Sequence, residues 1–256
     1  MSDAGSPFAG KVAFVAGGYG GIGEACAAAL VAQGATVVIG GRDASKAESA
    51  AASLRDRGSA TSVNIDMRDV ASMLNAVDEA ARRHGGIDFL VNCAGTQEIQ
   101  PLTEVTEEAF DRIVDVNLKG AMFLAQAVAR RQIADGRGGR HVHLLSVRAM
   151  LGMRDRGYSS YCSSKGGLAL LVRQHAVELA RHGINVNGVA PTVVRTRMAS
   201  DWSDPELHRR LLERIPLGRI AEVEDVSGAV LFFLGPASSF VTGQVLYVDG
   251  GITATQ

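Results

Sequence analysis

Residues 12–25, VAFVAGGYGGIGEA, place five glycines in the seven positions 17–23, directly after an apolar β-branched run and directly before an Ala-rich helical pattern. No other stretch constrains the fold as strongly. A flexible linker would need a polar spacer at this junction, and there is none. Glycine at a strand-to-helix turn permits positive φ and lets backbone approach a ligand closely. The helix that follows offers free N–H groups and a positive dipole end to a phosphate. Two spacings coexist: Gly18, Gly20 and Gly23 satisfy GxGxxG, while Gly17, Gly21 and Gly23 satisfy GxxxGxG. GxGxxG alone is weak, because ordinary Gly-rich turns produce it. After the first strand of an α/β pattern it points to dinucleotide binding.

The rest of the chain repeats that pattern. KVAFVAG, ATVVIGG, ATSVNID, GIDFLVNCAG, GRHVHLLSV, INVNGVAP and GQVLYVDGG are strand candidates. Helical patterns lie between them: GEACAAALVAQ, DASKAESAAASLRDRG with Asp43 or Ser45 as N-cap, DVASMLNAVDEAARRH, one long pattern over 106–135, and YCSSKGGLALLVRQHAVELARH. Several strands are apolar nearly throughout, as expected when helices cover both faces of a parallel sheet. The alternation predicts a doubly wound α/β fold. Without repeats, low-complexity tracts or a Pro/Ser-rich linker, residues 1–256 are expected to form one domain. The least regular segment, with Pro205 and Pro216, suggests a lid over about 192–216.

Composition sets outer bounds. With 256 residues, 46% hydrophobic, 21% charged and net charge −1, the chain carries no electrostatic footprint for nucleic acid or an anionic membrane. The three cysteines, Cys26, Cys93 and Cys162, fit no CxxC spacing, so reduced thiols in a cytoplasmic protein are expected. MSDAGSPFAGK has no basic patch followed by an apolar run, hence no expected secretory leader. No apolar stretch is long enough to span a bilayer. His141 and His143 alternate on one strand, but further ligands are lacking. Packed or solvent-capped histidines are expected and no metal site.

Arg42 follows Gly40-Gly41 at the end of the second strand, where a carboxylate would otherwise bind the adenosine ribose 2′-OH. Asp43 is close, but helix capping explains it more simply. An arginine can pair with a 2′-phosphate, which favours NADP(H), with NAD(H) the alternative and a solvated turn residue the bland one. Farther on, 161-YCSSK-165 puts a phenol and an ammonium on one helical face. Tyrosine ionises near pH ~10, so it needs a neighbouring cation to act as an acid/base at neutral pH. Ser146 ends an upstream strand and would sit at the carboxyl edge of the sheet, where open α/β folds bind ligands.

The glycine loop, 91-VNCAG-95, 116-VNLKG-120, Ser146, the YxxxK and 242-TGQVLYVDGG-251 occur in this order. Together they resemble the short-chain dehydrogenase/reductase family over essentially the whole chain. The resemblance implies a Rossmann-type seven-stranded parallel sheet, a homotetramer, and interconversion of carbonyls and alcohols with NAD(P)(H). It implies Tyr161 as general acid/base, Lys165 lowering its pKa and holding the nicotinamide ribose, and Ser146 orienting the substrate oxygen. Asn117 would hold a water linking Lys165 to solvent. The implied cofactor contour runs through Gly17, Tyr19, Gly21, Ile22 and Gly23, with Arg42, so the resemblance selects the GxxxGxG set and makes the GxGxxG accidental. It continues past Asp66 and Met67 at the adenine, and Asn92, Ala94 and Gly95 at the adenosine ribose. Pro191, Val194 and Thr196 would lie near the carboxamide or phosphates. Three departures stand out: Ala16 replaces the family's Thr, Cys93 the second Asn of NNAG, and Thr192 the Gly after Pro191.

Rival readings are fewer. No GxSxG occurs, which removes a serine hydrolase of that type. A non-catalytic dinucleotide-binding regulator would keep the glycine loop and lose the acid/base, yet Asn117, Ser146, Tyr161 and Lys165 are all present. Substrate choice is expected from 147–158 and the lid. Arg148, with Arg154 and Arg156, would suit an anionic or polyhydroxylated substrate, and Met198 and Trp202 would form an apolar or sugar-stacking wall. A small polar ketone, sugar or polyol is the expected substrate, with a 3-oxoacyl thioester on carrier protein as runner-up.

Overall fold

The computed structural model describes residues 5–154, 156–196 and 205–255. Seven strands form one parallel sheet in the order β3-β2-β1-β4-β5-β6-β7. They are β1 (Val12–Ala16), β2 (Thr36–Gly41), β3 (Ala60–Asn64), β4 (Phe89–Asn92), β5 (Gly139–Leu144), β6 (Ile184–Pro191) and β7 (Val245–Val248). All seven fall where the apolar runs place them. The order reverses between β1 and β4, so a crevice opens at their carboxyl ends, where such sheets bind ligands.

The strands are apolar on both sides because helices cover both sides. On one face α1 (Gly21–Ala32) and α8 (Val223–Leu234) bury Cys26, Leu30, Val226 and Val230 against Ala13, Val15, Val37 and Ile39. On the other, α3 (Val70–His84) and α5 (Gly120–Ala134) bury Met73, Val77, Leu124 and Val128 against Phe14, Val38 and Leu90. The long α6 (Ser159–Leu179) extends that layer, with Leu168 and Val172 on Val186 and Ala190 of β6. Each fully buried side chain of this size contributes roughly 1.5–3 kcal/mol. Caps set the helix starts. Asp43 accepts from Lys46 N at 3.0 Å ahead of α2 (Ala44–Ala52), which explains that carboxylate without a ligand.

Two differences from the sequence pattern bear on the site. The pattern over 106–135 is not one helix: α4 (Glu107–Val114) and α5 are joined by a π-turn at Asp115–Lys119 that contains Asn117. Buried positions Ala109, Ile113, Asn117, Ala121 and Ala125 recur every four residues across the turn, which hides it from the pattern, and such insertions concentrate at functional sites. The irregular segment expected to be a lid carries a helix, α7 (Pro205–Glu213), begun by the proline that argued against regularity. Met198 and Trp202 lie outside the described residues.

Candidate active site

A cavity of about 860 Å³ runs along the carboxyl edge of the sheet, from the glycine loop to Ser146, Tyr161 and Lys165. At one end, β1 passes into α1 through backbone that only glycine permits. Gly17 has φ +73°, and a Cβ there would come within 2.9 Å of Ala94 N. Gly21 has φ +50°, and a Cβ at Gly23 would lie 2.2 Å from Gly17 O. At Gly20 an added Cβ meets nothing within 4 Å. The GxxxGxG set is therefore the structural one, and the overlapping GxGxxG is coincidental at Gly20. No side chain caps α1, so its first N–H groups, at cavity-lining Gly21 and Ile22, are open to a phosphate. Thr196 packs on Gly21, within 3.0 Å of where its Cβ would be.

The second strand contributes through a contact the spacing did not reveal. The Tyr19 ring lies so close to Gly41 that a Cβ there would be 2.1 Å from it. Gly41 at the end of β2 is the sequence trace of that seat, whereas its neighbour Gly40 makes room for Ile65 and Phe14. Beyond Tyr19 the cavity reaches Lys46 and Ser49 of α2, which sequence reasoning missed.

At the other end, Ser146 follows β5 and its Oγ accepts from Arg148 N at 3.2 Å. Tyr161 and Lys165 share a face of α6, with Lys165 Nζ 5.8 Å from the Tyr161 ring centroid. Lys165 is only 4% exposed. Its ammonium donates to Leu144 O at 2.7 Å. Burial lowers its pKa from 10.5 to about 8. Burial also pushes the Tyr161 phenol above its ordinary value, opposed by a hydrogen bond with Ser146 and the charge of Arg148. The Lys165 ammonium, held on Leu144, stands close enough to the ring for its positive charge to add to the pull of Ser146 and Arg148.

Asn117 is buried, and both its N–H donors are committed. Thr96 N donates to Asn117 Oδ1 at 2.8 Å, and Asn117 Nδ2 donates to Thr96 O at 2.9 Å and Ser164 Oγ at 3.1 Å. Ser164 Oγ in turn donates to Tyr161 O at 2.8 Å. Thus the π-turn, the loop after β4 and the turn of α6 that carries Tyr161 form one satisfied network, as buried polar groups require. A Cβ on Gly95 would lie 3.6 Å from Lys165 Nζ.

Of the expected cofactor residues, Tyr19, Gly21, Ile22, Gly23, Gly95, Pro191, Val194 and Thr196 line the cavity. Gly17 and Ala94 form the backbone behind it. Asn92 is turned inward: Oδ1 accepts from Ala94 N at 3.2 Å, and Nδ2 is 3.4 Å from His143 Nδ1. Asp66 is paired with Arg68 at 2.6 Å, Met67 is buried beside the start of α5, and Arg42 is exposed at the end of β2. Arg148 is half-buried, with Nη1 donating to Leu151 O at 3.2 Å. Cys93 lines the cavity, but a hydrogen bond with Cys26 and burial hold its thiol well above the usual range, which makes it a poor nucleophile. His141 and His143 are fully buried, and among the described residues no group of three or more His, Cys, Asp or Glu could hold a metal. No described helix is long and apolar enough to cross a membrane.

The geometry fits a dinucleotide: a phosphate cradle that a Cβ would fill, an uncapped helix start, and a phenol–ammonium pair at the far end of one cavity. Comparisons with known proteins agree. The family model described as enoyl-(acyl carrier protein) reductase matches residues 16–253. The chain is 42% identical over 248 residues to an L-xylulose reductase of Bos taurus, covering 96% of this chain and 98% of the relative. A short-chain type dehydrogenase/reductase from Mycobacterium ulcerans superposes with a TM-score of 0.93 at 35% identity, covering 97% and 92% of the two chains. A gluconate 5-dehydrogenase from Burkholderia cenocepacia, solved with NADP and tartrate, gives a TM-score of 0.93 at 35% identity over 99% and 100%.

Proposed function

The chain belongs to the short-chain dehydrogenase/reductase family, and from that premise we propose that it interconverts a ketone and a secondary alcohol with NADP(H), on a small polar ketone, sugar or polyol. One observation carries this reading: Ser146, Tyr161 and Lys165 meet at one end of the cavity whose other end is the Gly17–Gly23 cradle. A nicotinamide held along this cavity would supply or accept the hydride. Tyr161 gives its proton to the carbonyl oxygen in reduction and takes it back in oxidation. Ser146 holds that oxygen, and the Lys165 charge favours the phenolate. Asn117, through Thr96 and Ser164, fixes the loop and helix that carry these groups.

Arg42 supports NADP(H) over NAD(H), because Gly41 and Arg42 stand where a ribose-binding carboxylate would be and Asp43 is occupied as an N-cap. The relatives named for a ketose and a sugar acid support the substrate class. A 3-oxoacyl thioester is the second reading, favoured by the acyl-carrier description of the matching family model. The protein would work as a single-domain subunit of a cytoplasmic homotetramer.

The test is a nicotinamide-absorbance screen of NADPH and NADH against ketoses, keto acids and acetoacetyl thioesters. Faster turnover with NADH overturns the Arg42 argument. A thioester preferred over every ketose moves the substrate to the second reading. A Tyr161→Phe variant as fast as the parent removes the acid/base assignment and returns the non-catalytic regulator.

A further inference from the structure

The loop between β4 and α4 crosses the catalytic end of the cavity, and it is pinned at both ends. At its start, Gly95 stands over Lys165, and the Thr96 backbone is held through both its N–H and C=O by the Asn117 carboxamide, at 2.8 and 2.9 Å. At its end, Gln100 N donates to Gly157 O at 3.1 Å, beside Tyr158 and four residues before Tyr161. The two strands of backbone touch so closely that a Cβ on Gly157 would lie 2.0 Å from Gln100 O. The segment thus spans from Lys165 to the start of α6, alongside Tyr161. Glu98 is occupied elsewhere, by Arg112 at 2.7 Å. Gln97 lines the cavity together with Thr96, Ser146 and Tyr161. Its carboxamide makes no hydrogen bond among the described residues.

We propose that Gln97 is a specificity-determining residue that reads the hydroxyl groups flanking the reacting carbonyl, through a carboxamide held at the cavity wall by the pinned loop. This deepens the reading of the substrate as a polyhydroxylated ketone and rests on it. A carboxamide carries two donors and an acceptor, which matches a hydroxyl, itself donor and acceptor. Gln97 is exposed, so a substrate lacking the hydroxyl leaves that amide to water, and the discrimination is the worth of the hydrogen bonds the hydroxylated substrate gains. The anchoring matters because the loop backbone is already ordered, so binding has only the rotamers of the side chain to fix. Glutamine, being uncharged, reads a hydroxyl without demanding an acid on the substrate.

The experiment compares a ketopentose with 2-pentanone, using NADPH and the full-length protein, in the parent, Gln97→Met and Gln97→Ala. Methionine keeps the length and removes the amide. The kcat/KM preference of the parent for the ketopentose should fall about tenfold in both variants, the worth of one or two hydrogen bonds, with the change in KM rather than kcat. NADPH fluorescence titration checks that each variant is folded. If Gln97→Met keeps the parent preference and only Gln97→Ala loses it, the residue acts by filling space and the inference falls. If both keep the preference, another group reads the hydroxyls and the inference falls while the substrate reading stands. If the parent itself does not prefer the ketopentose, the substrate reading fails and takes this inference with it.

Discussion

Gly20 and Gly23 are three residues apart in one loop and carry opposite consequences. A methyl group at Gly20 enters open space on extended backbone, whereas at Gly23 it would sit 2.2 Å from the Gly17 carbonyl oxygen. Gly20→Ala should therefore bind NADPH within about threefold of the parent, while Gly23→Ala should lose binding by more than tenfold or fail to fold. Isothermal titration and circular dichroism together check both, and equal tolerance would contradict the cradle. Lys165 sets a pH limit at the same scale. Burial has brought its pKa down from 10.5 to about 8, so the ammonium is charged below about pH 8 and neutral above it. Once neutral, it no longer favours the phenolate. The kcat of ketone reduction should fall as pH rises through about 8, and a profile flat to pH 10 would remove the role of that charge. Both residues were legible in the sequence as motif members. Their environment was not: the fall in the lysine pKa comes from chain segments far from YxxxK.

Strand β5 carries an unusual load for an element buried on both faces. His141 and His143 point to one side and are fully buried, with His141 Nε2 3.0 Å from Gln132 Oε1. Burial lowers the His141 pKa from 6.5 to about 3, and His143 falls well below its ordinary value for the same reason. The folded state therefore refuses protons that the unfolded chain accepts below pH 6.5. The stability due to neutral histidine is present above pH 6.5 and is lost as pH falls toward 3, by roughly 1.4 kcal/mol per unit for His141. Denaturant midpoints at pH 7 and pH 5 should differ in the parent, and the difference should shrink in His141→Met. Alternation alone had placed these imidazoles on a shared face, without deciding what covered it. The α4–α5 junction shows a different limit. Its apolar spacing continues across the π-turn, so the break that presents Asn117 to Thr96 leaves no mark in periodicity.

Across the whole molecule, α6 does two things at once. Its inner face carries Tyr161, Ser164 and Lys165, while its outer face exposes Leu170 by 65% and Val177 by 75%, two turns apart. Paired apolar exposure on one helix face suits contact with another subunit. For a homotetramer joined there, Leu170→Glu with Val177→Glu should give a smaller particle by size exclusion with light scattering. NADPH binding should persist, because neither side chain lines the cavity. An unchanged particle would place the contact elsewhere.

The amino-acid sequence by itself determined the alternation of strand and helix, the glycine turn between β1 and α1, and the tyrosine, lysine and serine proposed to carry the chemistry. Each is a local fact: a run of β-branched residues, glycines where backbone must turn, two side chains one helical turn apart. The family resemblance had already singled out Gly17, Gly21 and Gly23, and only the tertiary structure gave the physical reason, Gly17 O and Ala94 N reaching back across the loop. It alone turned Asn92 inward and brought Lys46 and Gln97 to the cavity wall. Those outcomes depend on how segments far apart in the chain meet at the carboxyl edge of the sheet, and no local pattern encodes that meeting.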